Sequence, residues 1–261
     1  MKLPKNLAIT CCLAVIFTHS FTQAAVTTQA YYPFGEGGAA GPANQPLDAS
    51  GNGRNYLFNI SGASITTTAP SPFSTANYDF GGGQGYYDIG YDAPENNVGV
   101  QGWFRISDLA VQSSHIFGTG NEFEGLNIGW DTGTDQFTGS LGGITPSVVG
   151  SGYAAVANAW VHLALVRDAG IATFYVNGVA NGVTSSFVPT NAAESHVGVS
   201  DAAAAFYTGS IDEGAIFTFT PGEFSPTQDL GYNKPIPEPG ACILMALGAC
   251  LVTMTRRRQA I

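Results

Sequence analysis

The sequence predicts an all-β protein, an antiparallel β-sandwich or barrel, preceded by a signal helix and followed by a short transmembrane helix. Three observations predict it. Between Ala30 and Thr220 no 3.6-residue apolar period is sustained, and the Lys and Glu that support surface helices are nearly absent. Short β-branched and aromatic runs alternate instead with clusters of Gly, Asn, Asp and Pro. Asn177-Gly178 then stands between two such runs, the pair that a type I′ hairpin turn selects because both central residues need positive φ.

The N-terminal element is an export signal. Met1-Lys-Leu-Pro-Lys5 is basic, Leu7 to Phe17 is apolar, and Thr22-Gln-Ala-Ala25 supplies the small residues of a cleavage site, so residues 1–25 read as a signal peptide. The apolar run is too short to span a bilayer as a mature helix.

The body that follows differs sharply from the chain average. The 261 residues carry a net charge of −10, with 34 Gly and 4 Cys. Yet residues 26–239 hold only four basic residues (Arg54, Arg105, Arg167 and Lys234) against all 19 acids, a net −15. That excludes a basic nucleic-acid footprint. The cysteines, Cys11, Cys12, Cys242 and Cys250, all lie in the two ends, so the exported body has no disulfide framework and no cysteine nucleophile.

Within the body, Gly102–Ile106, His115–Phe117 and Leu126–Trp130 read as short strands. Val161–Arg167 is a longer strand, Asp168-Ala-Gly170 a turn, and Ile171–Val176 its partner; Asn177-Gly178 then returns the chain at Val179. Many strands with frequent turns make a sandwich or barrel, and no solenoid period is visible.

The C-terminal end reads Pro235-Ile-Pro-Glu-Pro-Gly240, an apolar stretch 241–255, then Arg256-Arg257-Arg258. Gly240 to Thr255 makes about 24 Å of helix against a hydrocarbon core of about 30 Å, a short span whose arginines keep the C-terminus cytoplasmic. The order of Pro237-Glu238-Pro239, apolar helix and arginine cluster resembles the PEP-CTERM sorting signal of Gram-negative bacteria. The resemblance implies an exosortase-type processing enzyme as partner and transient anchoring in the inner membrane, followed by release to the cell surface or exterior. An ordinary tail anchor is the alternative. The expected organisation is a domain over 26–222, a linker over 223–234 and the sorting signal over 235–261.

The body itself resembles the laminin-G-like, concanavalin-A-like jelly rolls. Tyr32-Pro-Phe-Gly-Glu36 and Asp48-Ala-Ser-Gly-Asn-Gly53 are similar to that family's opening strand and loop. Asn77-Tyr-Asp-Phe-Gly81, Tyr87-Asp-Ile89 and Val100-Gln-Gly-Trp-Phe-Arg105 resemble the strands that follow. The closest part runs from Trp160-Val-His162 through Arg167-Asp168 to Tyr175-Val-Asn-Gly178, and Gly209-Ser-Ile-Asp-Glu213 resembles the closing strand. The family implies two antiparallel sheets of six or seven strands with a hydrophobic interior.

Chemistry is sparse. Glycosidases of this fold carry E-x-D-x-x-E, and no such motif occurs here. Glu122 and Glu124 would share a face only on a strand, and they sit among glycines that favour a loop. Asp212 and Glu213 are adjacent, so on a regular strand they point to opposite faces; in the resembled family this Asp is structural. His115, His162 and His196 lack neighbours at ligand spacing, and no G-x-S-x-G occurs. No catalytic residue is assigned.

No cofactor is required by these residues. Calcium is the one candidate ion, implied by laminin-G-like rim sites, with Asp48, Asp131 and Asp135 as candidate ligands and turn formation as their competing role. Tyr86, Tyr87, Tyr91, Trp130 and Tyr153 are the candidate sugar platforms, with Trp103 and Trp160 expected as core anchors. The expected function is a non-catalytic module binding an extracellular glycan or protein. A divergent glycoside hydrolase and a purely structural surface protein are the alternatives.

Overall fold

The computed structural model describes residues 26–35, 44–56, 58–68, 71–89, 94, 96–111, 113–120, 124–142, 147–185, 194–199 and 205–233. The two segments expected to be terminal signals, including Pro237–Pro239 and Arg256–Arg258, lie outside the described residues. Among the described residues no helix is long and apolar enough to cross a membrane.

Among the described residues fifteen strands build two antiparallel sheets: β1 (Val26–Tyr32), β2 (Phe58–Ser61), β3 (Ser64–Thr66), β4 (Asn77–Gly81), β5 (Gly85–Ile89), β6 (Val98–Ile106), β7 (Ser113–Gly118), β8 (Leu126–Asp131), β9 (Gln136–Leu141), β10 (Ser147–Ala154), β11 (Val161–Asp168), β12 (Ile171–Val176), β13 (Val179–Ser185), β14 (Glu194–Val197) and β15 (Thr208–Phe219). The first sheet runs β13-β12-β11-β6-β15-β4-β3, with β1 also paired to β15; the second runs β10-β9-β8-β7-β14-β5-β2. This is the two-layer sandwich that the sequence predicts.

Alternation builds the interior. Leu163 and Leu165 of β11, Val100 and Phe104 of β6, and Ile211 of β15 point inward from the first sheet. They meet Ile128, Trp130, Phe137, Phe117 and Val197 of the second. Trp130 packs edge-on to Phe137 at 5.3 Å, and Phe104 lies 6.4 Å from the same ring. Each such side chain contributes ~1.5–3 kcal/mol by leaving water, which replaces the disulfides this body lacks. The β12–β13 hairpin turns on Asn177 and Gly178, both at positive φ (48° and 77°), as the sequence predicts.

Two features depart from expectation, and both shape the outer face of the first sheet. Residues 223–233 are docked against that face rather than forming a linker. After Pro221-Gly222 the chain folds back as a strap carrying a four-residue helix, α1 (Pro226–Asp229), and a 3-10 turn at Gly231–Asn233. Phe224 stacks on Phe217 at 6.1 Å, Leu230 is fully buried, and the Gly231 N–H donates to Gln101 Oε1 at 2.8 Å.

The second departure is a β-bulge in β15. Ile211 and Ile216 both face the interior, but register shifts between Asp212 and Ala215, with Glu213 at φ 51°. The extra residue breaks the two-residue alternation. Upstream of the bulge β15 pairs β4; downstream it pairs β1.

Candidate functional site

The outer face of the first sheet can be read row by row from strand register. At one end, Asp79 (β4), Ser210 (β15) and Arg105 (β6) are cross-strand neighbours. Tyr78 and Phe80 on β4, and Phe104 and Ile106 on β6, face the interior, so their alternates point outward. Arg105 Nη2 donates to Ser210 Oγ at 2.7 Å, and Ser210 Oγ donates in turn to Asp79 Oδ1 at 2.9 Å. The Arg105–Asp79 charge contact itself is longer, 3.7 Å. The guanidinium carbon sits 5.4 Å from the ring centroid of Trp160, in cation–π range. Arg105 is thus held by a hydroxyl, a carboxylate and an indole, while Asp79 remains 42% exposed. Trp160, expected as a core anchor, is instead half-buried at this rim.

The next row holds Asp212, Trp103 and His162, consecutive across β15, β6 and β11. Trp103 is buried, as expected, but on this outer face: Phe73 covers it at 6.3 Å and His162 packs edge-on at 5.4 Å. Tyr232 of the strap closes over His162 at 6.3 Å. Burial lowers the His162 pKa to about 3, so its ring is neutral.

The bulge corrects the reading of Asp212 and Glu213 as residues on opposite faces. The Glu213 N–H donates to Asp212 Oδ1 at 2.9 Å, and Tyr31 Oη, on the same outer face, donates to Glu213 Oε2. Both carboxyls are buried on one side. Burial pushes the Asp212 pKa up to about 8; the Ser74 and Ser71 hydroxyls oppose this and the Glu213 charge adds to it. The two converge but lie beneath the surface, where no sugar reaches them.

Beyond these rows the face turns apolar. Ala164, Val166, Phe217 and Phe219 are covered by Phe224 and Leu230 of the strap. The outer face of the first sheet is therefore closed at one end, while at the other Asp79 and Phe73 are exposed and Arg105 and Trp160 only partly so.

The second sheet presents a buried polar cluster. His115 Nε2 donates to the His196 carbonyl at 2.7 Å, and His196 Nε2 lies 3.2 Å from Glu194 Oε2. Burial, with the His196 charge, lowers the His115 pKa to about 3.

Of the expected platforms, two are corrected outright. Tyr86 and Trp130 are fully buried in the interior; Tyr86 Oη accepts from the Ala63 N–H and Trp130 Nε1 donates to the Leu109 carbonyl. Tyr153 is half-buried against the same interior cluster. Tyr87 is placed on β5 opposite His196, but its side chain lies outside the described residues, as does all of Tyr91. Their aromatic character alone did not separate core from surface.

The calcium candidates are already bonded within the protein. The Asp48 carboxylate accepts from the Tyr31, Ser50 and Arg54 N–H groups at 2.8–3.0 Å, stapling its loop to β1. Asp131 accepts from Gly133 N–H and Thr134 Oγ1, contacts that lower its pKa, and Asp135 occupies the same turn at φ 52°. These carboxylates do not fit a shared calcium site. Among the described residues no three His, Cys, Asp or Glu side chains are grouped to hold a metal.

A laminin-G family model, described as the concanavalin A-like lectin/glucanases superfamily, matches residues 80–221. No curated protein matches the sequence. Among solved structures, domain 4 of AbnA, an extracellular GH43 arabinanase from Geobacillus stearothermophilus, solved with arabinotriose, superposes with a TM-score of 0.59 at 20% identity, covering 78% of this chain and 97% of that one. The botulinum neurotoxin type G receptor-binding domain gives 0.55 at 11% identity, covering 77% of this chain. A type C neurotoxin structure, whose cell entry depends on two ganglioside molecules, gives 0.52 at 10% identity and 75% of this chain. This chain spans about half the length of those toxin chains, 49% in each case. At these identities the likeness is one of fold.

Proposed function

The chain belongs to the concanavalin A-like lectin/glucanases superfamily, and from that premise we propose that it is an exported, non-catalytic glycan-binding module of the cell surface or extracellular matrix. The observation that carries this reading is the half-buried Trp160 at the rim beside the Arg105–Ser210–Asp79 network. The exposed part of the indole offers an apolar surface for a sugar ring to pack against. The adjoining guanidinium and carboxylate offer donors and an acceptor for its hydroxyls, already fixed and costing little further ordering. Arg105 and Asp79 compensate each other, and the body around them is acidic, which favours a neutral glycan over an anionic one. The arabinotriose in the AbnA domain supports this class of ligand.

Delivery belongs to the same proposal. The PEP-CTERM-like tail routes the body through the inner membrane, and an exosortase-type enzyme releases it; like other tail-removal signals, it leaves a mature protein without a transmembrane helix.

A neutral-glycan array probed with the full chain in detergent tests the binding reading, with a reducing-sugar assay alongside. Retention on at least one neutral glycan without release of reducing sugar is expected. Steady release, abolished by Glu124→Gln, would make the protein a glycosidase instead. Mass spectrometry of the mature protein tests the sorting reading: an intact Arg256–Arg258 in exosortase-containing cells would contradict it.

A further inference from the structure

Arg105 of β6 and Asp79 of β4 flank Ser210 of β15, each as its cross-strand neighbour. Ser210 is fully buried, and its hydroxyl serves both: it accepts from Arg105 Nη2 and donates to Asp79 Oδ1. Asp79 Oδ2 makes no hydrogen bond among the described residues, and the side chain is 42% exposed where that of Arg105 is 14%. Ser64 of β3, the other cross-strand neighbour of Asp79, is exposed as well. An arriving ligand therefore meets the carboxylate before the guanidinium.

The guanidinium is only partly satisfied. Its Nε is buried without a hydrogen-bond partner among the described residues, and the Asp79 carboxylate, 3.7 Å from Nη2, supplies the opposing charge. No other carboxylate forms an ion pair with Arg105 among the described residues. A ligand anion that reached Arg105 would stand beside Asp79 too, so attraction by one is offset by repulsion from the other. Acids farther off are screened by salt over about 8–10 Å. The near carboxylate decides the sign of the field that a ligand meets.

We infer that Asp79 is the specificity-determining residue of the glycan site: its Oδ2 accepts from a hydroxyl of a neutral sugar, and its charge turns away the uronic acids that Arg105 would otherwise attract. This deepens the glycan-binding reading and rests on it. Both halves follow from one property. A carboxylate accepts hydrogen bonds and donates none, so it pairs with a hydroxyl and repels an ionised acid.

The test is titration calorimetry of the full chain in detergent with tetramers of galactan, glucan and mannan and with the uronic acid tetramers of galacturonan and mannuronan. The unmodified chain is expected to bind uronic acid tetramers about tenfold or more weakly than its best neutral glycan. Asp79→Asn, uncharged and of nearly the same shape, is expected to bind a uronic acid tetramer about tenfold or more tightly than the unmodified chain does. Rising salt should diminish that gain, and Arg105→Gln in the Asp79→Asn background should abolish it. Thermal unfolding identifies a folding defect, and Asp79→Ser replaces Asp79→Asn if the latter does not fold. Equal affinity of the unmodified chain for neutral and uronic acid glycans overturns this inference while leaving glycan binding intact. So does the absence of a gain in a folded Asp79 variant, or a gain that persists without Arg105. No binding of any tetramer or array glycan, by the chain or its variants, overturns both.

Discussion

Tyr31 Oη donates a 2.5 Å hydrogen bond to Glu213 Oε2, joining residues 182 positions apart in sequence. The bond fastens β1 to the bulge in β15 at the point where β1 takes over from β4 as its partner. It also holds the Glu213 carboxyl on the outer face beside Asp212. Tyr31→Phe removes the donor and leaves a buried acceptor poorer by one bond. A loss of ~1.5–3 kcal/mol in urea unfolding is expected; a loss below about 0.5 kcal/mol would show that the bond does not fasten β1.

Stability should peak near pH 6.5. Burial lowers the pKa of both His115 and His162 to about 3, so each contributes stability that is present above its unfolded value and lost as pH falls toward 3. Asp212, raised to about 8 by burial, behaves oppositely: its contribution is full below the unfolded value and lost as pH rises through 8. Below pH 6.5 the two histidines outweigh the one aspartate, so stability falls as pH falls; between 6.5 and 8, of these three groups only Asp212 still differs between the folded and unfolded states, so stability falls as pH rises. His162→Asn should flatten the acid limb and Asp212→Asn the alkaline one. A flat urea-stability profile from pH 5 to 8 would contradict the assignment.

Gly178 serves both the turn and the strap. Its φ of +77° disfavours any side chain, and a Cβ there would run into the ring of Tyr232. Gly178→Ala should therefore cost about 2 kcal/mol or more, part from the backbone and part from displaced strap. In the Tyr232→Ala background the cost should fall to the backbone share, about 1 kcal/mol. Equal costs in both backgrounds, measured as a double-mutant cycle, would show that the strap is not seated on this turn.

Chelation should leave melting temperature and glycan affinity where they were. Asp48 spends its carboxylate on three backbone N–H groups, and Asp131 spends its own on a turn. A fall of several degrees in EDTA, restored by calcium, would show that a hard cation binds this protein after all.

The sandwich was legible because alternation and turn chemistry are local: Asn177-Gly178 dictates its hairpin, and Val161 to Asp168 reads as one strand. The site was less legible for physical reasons that can be named. On β6 both faces are buried, so nothing in Val98–Ile106 says which of Trp103 and Phe104 points inward. Tyr86 and Trp130 look like surface platforms until the opposing sheet covers them. The bulge needs Glu213 in a left-handed conformation, which a non-glycine residue does not announce. Residues 223–233 read as a linker because Phe224, Leu230 and Tyr232 are spaced irregularly. They dock individually, on Phe217 and Phe219 of the adjoining β15 and on His162, Ala164, Val166 and Tyr175 of strands farther back in sequence.

The most direct test of the central claim is calorimetric titration of the full chain and of Trp160→Ala with the tightest-binding neutral glycan from the array. The account predicts saturable binding by the former and at least a tenfold loss in the folded variant, because the stacking face beside Arg105 is gone. Equal affinity of the two proteins would move the site elsewhere, and no binding by either would end the glycan reading.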